Sequence, residues 1–126
     1  MSGQYLVRFH NQSSHSIRLE VDGKNTGCMH VTGPGSIELG SGSTRQISLI
    51  DSNHISIFGH SCTNKPKYIT WNVSDRGSVR VYHHKDSSWW TQVNGDVTHA
   101  YCCGQDCLNN PVEASDEAVT VIEIYL

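Results

Sequence analysis

The chain has 126 residues, only 17% of them charged, and nine Lys plus Arg against twelve Asp plus Glu give a net charge of −3. That length suits one domain, residues 1–126, able to bury roughly two-thirds of its unfolded surface. The shortage of charge, made up by Ser, Thr, Asn and Gly, suits a turn-rich β protein and argues against a helical bundle. The basic residues are scattered singly, which excludes a nucleic-acid backbone as partner. Met1 to His10 lacks a basic segment followed by an apolar run, and no stretch is apolar for the length of a bilayer. The expectation is a soluble protein made in the cytoplasm without a signal peptide, with leaderless export left open.

From the N-terminus, Tyr5, Val7 and Phe9 alternate with Leu6, Arg8 and His10, the period-two signature of a strand with one buried face. After the polar Asn11-Gln12-Ser13-Ser14, Ile17, Leu19 and Val21 alternate with Arg18, Glu20 and Asp22. Two such runs around a short polar loop predict a β-hairpin. Asp22 to Gly27 reads as a turn, Cys28 to Val31 as a short strand, and Gly33-Pro34-Gly35 as a break. Ser36 to Leu39 is a short strand ended by Gly40-Ser41-Gly42-Ser43. That Gly/Ser run lacks the Lys and the following helix of a phosphate-binding loop, so it is a turn between strands.

Gln46 to Ile50 and His54 to Phe58 flank Asp51-Ser52-Asn53 as a second predicted hairpin, and a long polar loop follows to Pro66. Lys67 to Val73 alternates Tyr68, Thr70 and Asn72 with Ile69, Trp71 and Val73. Val79 and Val81 then alternate with Arg80 and Tyr82, leading through His83-His84 and a polar Lys85 to Ser88 into Trp89-Trp90. Asn94-Gly95 is a strong hairpin signal and predicts Val97 to Tyr101 folded back on Trp89 to Val93. Cys102 to Glu117 reads as a long loop, and Ala118 to Tyr125 as an inner strand. Short strands separated by turn signals, without repeats or a sustained helical period, predict an all-β, two-sheet antiparallel sandwich.

Several clusters invite chemistry. Adjacent strand residues point to opposite faces, so one of Trp89 and Trp90 can enter the core while the other stands out. An outward Trp beside a basic residue suits a membrane interface or a sugar, offering apolar area and an N–H donor. His83 and His84 point oppositely and cannot chelate one ion. His99, Cys102, Cys103 and Cys107 are ligand types that zinc selects, with His83 or His84 as a further donor across the hairpin. Their spacing is irregular, and the five cysteines make an odd count. With no signal peptide, free thiols or a zinc site are expected ahead of a disulfide framework. No nucleophile, base and oxyanion donor can be placed together, so no enzyme is expected.

The order of features from residue 54 to 94 resembles the aegerolysins, small acidic leaderless β-sandwich proteins. That family has a G-x-F-D-L-V-D strand followed by one ending Y-W-D-C-P-W-G-S-K-T-N. Tyr68 to Asp75 takes the first place here and Val81 to Asn94 the second, with Asp86 and Trp89 falling on the family's Asp and second Trp. Phe9-His10-Asn11 and the Ser36 to Ile47 run sit in the same order, so that the likeness covers about two-thirds of the chain. Lys85 replaces the family's first Trp, Ser87-Ser88 replaces its Cys-Pro, and Cys102 to Glu117 is an insertion without counterpart. The resemblance implies a non-enzymatic sandwich that recognises membrane lipid headgroups, as one component of a cytolytic or pore-forming system. In that setting Trp89 or Trp90 would meet the bilayer interface with Tyr82 or Tyr101 adding to an aromatic belt, Lys85 or Arg80 would meet phosphate, and Asp86 a cationic ammonium. A protein-binding module of the immunity or secreted-effector-partner kind is the alternative for a chain of this charge without a catalytic set.

Overall fold

Where apolar residues alternate along nearly every strand, each strand has one face to bury, and stacking two sheets buries both sets at once. The computed structural model describes residues 4–51, 67–74, 76–85, 89–113 and 120–126. They form two six-stranded sheets. The first runs β10 (Gln105–Asp106), β9 (His99–Cys102), β12 (Thr120–Tyr125), β1 (Gln4–His10), β5 (Thr44–Asp51), β3 (Met29–Val31). The second runs β11 (Val112–Glu113), β8 (Trp89–Gly95), β7 (Ser78–Lys85), β6 (Lys67–Val73), β2 (Ile17–Val21), β4 (Ser36–Leu39). Neighbours are antiparallel except β1 and β12, which pair in parallel. The expected all-β sandwich is the observed architecture.

The core takes Tyr5, Val7, Phe9, Leu49, Ile122 and Ile124 from the first sheet. Facing them are Ile17, Leu19, Ile69, Trp71, Val79, Val81 and Val93 from the second. Phe9 meets Trp71 edge-on across the gap, their ring centroids 5.0 Å apart, the arrangement that ring quadrupoles favour. Asp22 caps a single 3-10 turn, Gly23–Asn25, by accepting from the Lys24 N–H. Its carboxyl also accepts from the Asn25 side chain at 2.7 Å, and chiefly that bond, then the Lys24 N–H, holds its pKa below the ordinary carboxylate value.

Two predicted hairpins are not formed. β1 and β2 lie in different sheets, β1 between β12 and β5 and β2 between β4 and β6. The segment between them crosses from one layer to the other, so their apolar faces oppose each other across the core instead of sharing a ladder. β8 likewise pairs with β7 and β11, whereas β9 pairs with β12 and β10 in the opposite sheet. Asn94 and Gly95 stay inside β8, in register with Arg80 and Val79. The hairpin expected around Asp51-Ser52-Asn53 lies outside the described residues. The inner-strand reading of the C-terminal run holds, since β12 has β9 and β1 on its two sides.

The expectation of free thiols in the Cys-rich stretch is corrected as well. Cys102 and Cys107 form a disulfide with Cα atoms 5.6 Å apart, and Cys28 is disulfide-bonded too. What read as a long loop begins with a tight β9–β10 hairpin, Cys102 in register with Gln105, turning through Cys103 and Gly104 at φ 51° and 81°. Two successive positive φ values suit a two-residue hairpin turn. The bond sits beneath that hairpin, with Cys102 and Cys107 both buried. Closing so short a loop, at a sequence separation of 5, restricts the unfolded chain and contributes about 2 kcal/mol. Joint replacement of both cysteines by alanine is therefore expected to lower stability by about that amount in urea unfolding, and excess reductant, which also opens the Cys28 bond, should lower it further in the native chain.

Candidate functional site

The outward face of β6, β7 and β8 gathers most of the sequence-predicted site. Strand alternation turns Ile69, Trp71, Val79, Val81 and Val93 inward, which leaves Tyr68, Thr70, Arg80, Tyr82, Trp90, Gln92 and Asn94 on the other side. Register then sets them in rows: Tyr68 beside Tyr82 beside Gln92, and Thr70 beside Arg80 beside Asn94. A third row places the backbones of His84, Trp90 and Glu113 side by side.

Arg80 is the centre of this face. Its Nε donates to Thr70 Oγ1 at 2.8 Å and its Nη1 to Tyr82 Oη at 3.1 Å. The guanidinium carbon lies 4.6 Å from the Tyr68 ring centroid and 5.6 Å from that of Tyr82, and the two rings are 5.9 Å apart. Both tyrosines and Arg80 are half-buried. Tyr68 is fixed from behind: Gly27 and Tyr68 exchange backbone hydrogen bonds of 2.9 and 3.0 Å, and a Cβ on Gly27 would stand 2.8 Å from Tyr68 Cε1. A planar cation held over aromatic rings loses little rotamer freedom when it binds, and among the described residues Nη2 keeps its donors for an incoming anion. Gln92 Nε2 donates to Asn94 Oδ1 at 2.7 Å, extending the polar surface.

The remaining predicted residues fall as follows. Trp90 is half-buried on this outward face. Lys85 and Trp89 face each other in the β7–β8 ladder, their side chains outside the described set, and Asp86 lies outside the described residues. His83 is fully buried and packs on Tyr5 at 4.6 Å between centroids. Of the zinc candidates, Cys102 and Cys107 spend their sulfurs on each other, Cys103 is an exposed free thiol, and His99 is exposed near Tyr101. The four are thus not assembled as a thiolate site in this oxidised chain. Among the described residues no three His, Cys, Asp or Glu side chains are grouped to hold a metal.

Sequence reasoning missed a second outward cluster, on the first sheet. His10 Nδ1 lies 2.9 Å from Thr44 Oγ1 and its Nε2 3.5 Å from Glu123 Oε1, while Arg8 Nη1 reaches the same Glu123 oxygen at 3.4 Å. The Tyr125 ring stacks on His10 at 4.3 Å. Register across β12, β1 and β5 assembles these groups, and no local motif announces a row built from three separated strands.

Among the described residues no helix is long and apolar enough to cross a membrane. The fold and this face define a β-sandwich with an aromatic-framed cation on one sheet. No family model and no curated protein matches the chain.

Proposed function

We propose that this chain is a non-enzymatic, aegerolysin-like sandwich that binds membrane lipid headgroups through the outward face of β6–β8. The observation that carries the reading is Arg80, held over Tyr68 and Tyr82 with donors to spare among the described residues. A guanidinium in that setting suits a phosphate oxygen. Half-buried tyrosines and Trp90 supply rings that are apolar in body and polar at the tip, the kind enriched where water meets hydrocarbon. Lys85 and Trp89, paired in the β7–β8 ladder, join the proposal from the sequence, as does Asp86. The resemblance adds a role as the docking component of a cytolytic or pore-forming system.

The test is flotation with vesicles mixing sphingolipids and phosphoethanolamine lipids, read beside tryptophan emission. Trp71 is already buried, so a blue shift on binding reports Trp89 and Trp90. Arg80→Gln is expected to weaken co-flotation about tenfold, or about 1.4 kcal/mol, and to abolish the shift at the same lipid concentration. Absence of co-flotation on every composition would remove the proposal. Capture of a protein partner beside inert vesicles would replace it with the protein-binding alternative.

A further inference from the structure

The side of the sandwich away from β8 carries a cleft that the lipid-facing residues do not touch. It encloses about 210 Å³ where the β3–β5 edge of the first sheet meets β4, the edge of the second. That is about seven waters' share of liquid volume, room for one branched aliphatic side chain and a small polar group. Its floor is Ile37 and Ile47, both buried, with Pro34 at the lip. Arg45 stands in its wall.

Arg45 occupies an unusual position. It pairs with Phe9, as Ile47 pairs with Val7 and Leu49 with Tyr5, so by alternation it is on the core-facing side of β5 and not on the outward side. It is exposed because the strand ends there. Among the described residues it makes no ion pair or side-chain hydrogen bond, and none of the residues lining the cleft is acidic. A guanidinium over an apolar floor, without a counter-charge, is complementary to an anion that brings its own apolar group.

Among the described residues the strand beside it is only partly paired on this side. β5 pairs with β1 from Thr44 to Ile50, but with β3 only from Leu49 to Asp51. Ser48 O accepts from Thr32 N at 3.1 Å, so Ser48 turns its backbone toward the β3 side and Gln46, two residues before it, does the same. The Gln46 N–H and C=O therefore face an edge next to the cleft that no described strand pairs. An added strand needs such an edge, and specificity comes from a pocket for one side chain and a partner for a terminal charge.

We propose that this cleft captures the C-terminus of an extended peptide ending in Val, Leu or Ile. The terminal carboxylate pairs with Arg45, the last side chain fills the space over Ile37 and Ile47, and the preceding residues extend β5 through Gln46. The occupant is a partner's tail; the β12 end of this chain is committed elsewhere, with Leu126 buried and its N–H donating to His10 O at 2.8 Å.

Fluorescein-labelled hexapeptide pools with a fixed last residue test this by anisotropy. Pools ending in Val, Leu or Ile as free acids are expected to bind. The same pools as C-terminal amides, and free acids ending in Lys or Asp, are expected to bind about tenfold or more weakly. Arg45→Gln should abolish the preference for acid over amide without moving the urea midpoint, because the side chain is exposed and has no partner among the described residues. Arg80→Gln should leave peptide binding unchanged while weakening vesicle binding, which separates this site from the lipid-facing one. Equal binding of acid and amide, an unchanged Arg45→Gln variant, or no binding by any pool at millimolar peptide would overturn the proposal.

Discussion

Gly95→Ala is expected to cost about 3–5 kcal/mol, a large share of the stability of a small domain. Gly95 adopts φ +137°, a conformation that costs an L-residue on the order of 1–3 kcal/mol. Space is the greater obstacle. A Cβ there would stand 2.2 Å from the Ser78 carbonyl oxygen and 2.8 Å from Val79 Cα. Both are backbone atoms of the paired strand, so relief demands that β7 and β8 separate, at the register where Asp96 N donates to Ser78 O at 3.0 Å. Overpacking against backbone adds on the order of 1–3 kcal/mol. Gly42→Ala is the control: φ is also positive, at +72°, but no atom lies within 4 Å of the added Cβ. Its loss should stay near 1–2 kcal/mol, and urea unfolding of the two variants separates conformation from contact. Since β7 and β8 carry Arg80, Tyr82 and Trp90, Gly95→Ala should also weaken vesicle binding, whereas Gly42→Ala should not.

Asn94-Gly95 shows what a local pattern can and cannot say. The pair was legible only as a hairpin signal, yet glycine answers a tight turn and a close strand approach equally well. Alternation placed β6, β7 and β12 and told which residues face inward, because it depends only on each strand's own two faces. Pairing depends on which other strand lies alongside. Ile17, Leu19 and Val21 are buried to the same degree whether their neighbour is β1 or β6, so the opening hairpin was the natural reading and the cross-sheet connection was not visible.

The candidate site divides in the same way. Arg80 and Tyr82 were legible as an outward pair two residues apart on one strand. Tyr68 was legible as outward too, but its contact with Arg80 follows from the β6–β7 register, which no local spacing sets. The Cys102–Cys107 bond depends on a two-residue turn at Cys103-Gly104 that brings the β9 and β10 segments together, and a spacing that suits no zinc knuckle fits that turn. Arg45 was visible only as one cation in a polar run. Its meaning comes from pairing with Phe9, which places it on the inner side of a strand whose outer neighbour stops short.

Asn11→Ala is the second large effect, and it tests the connection that replaced the predicted hairpin. Asn11 follows the last residue of β1 and is buried, at 1% exposure. Its Nδ2 donates to His15 O at 2.8 Å and to Leu39 O at 2.9 Å, and its Oδ1 accepts from Ser13 N at 2.9 Å and from Ser13 Oγ at 2.6 Å. Leu39 ends β4 in the opposite sheet, so one carboxamide folds the crossing segment and ties the two layers together. The Asn11-Gln12-Ser13 sequence has the pattern of a glycosylation acceptor, but the nitrogen that would carry the sugar is already committed to two carbonyls. Alanine would take this donor from the buried Leu39 O and the acceptor from Ser13 N–H, each costing about 1–3 kcal/mol where water cannot reach. The exposed His15 O keeps Ser13 Oγ at 2.9 Å, so the expected total is about 2–4 kcal/mol by urea unfolding. Asn11→Asp should be no better despite its shape: a carboxylate still accepts from Ser13 but cannot donate, and it sets a charge against the His15 and Leu39 oxygens. A loss below about 1 kcal/mol for both variants would mean that packing of the apolar faces alone decides how β1 connects to β2.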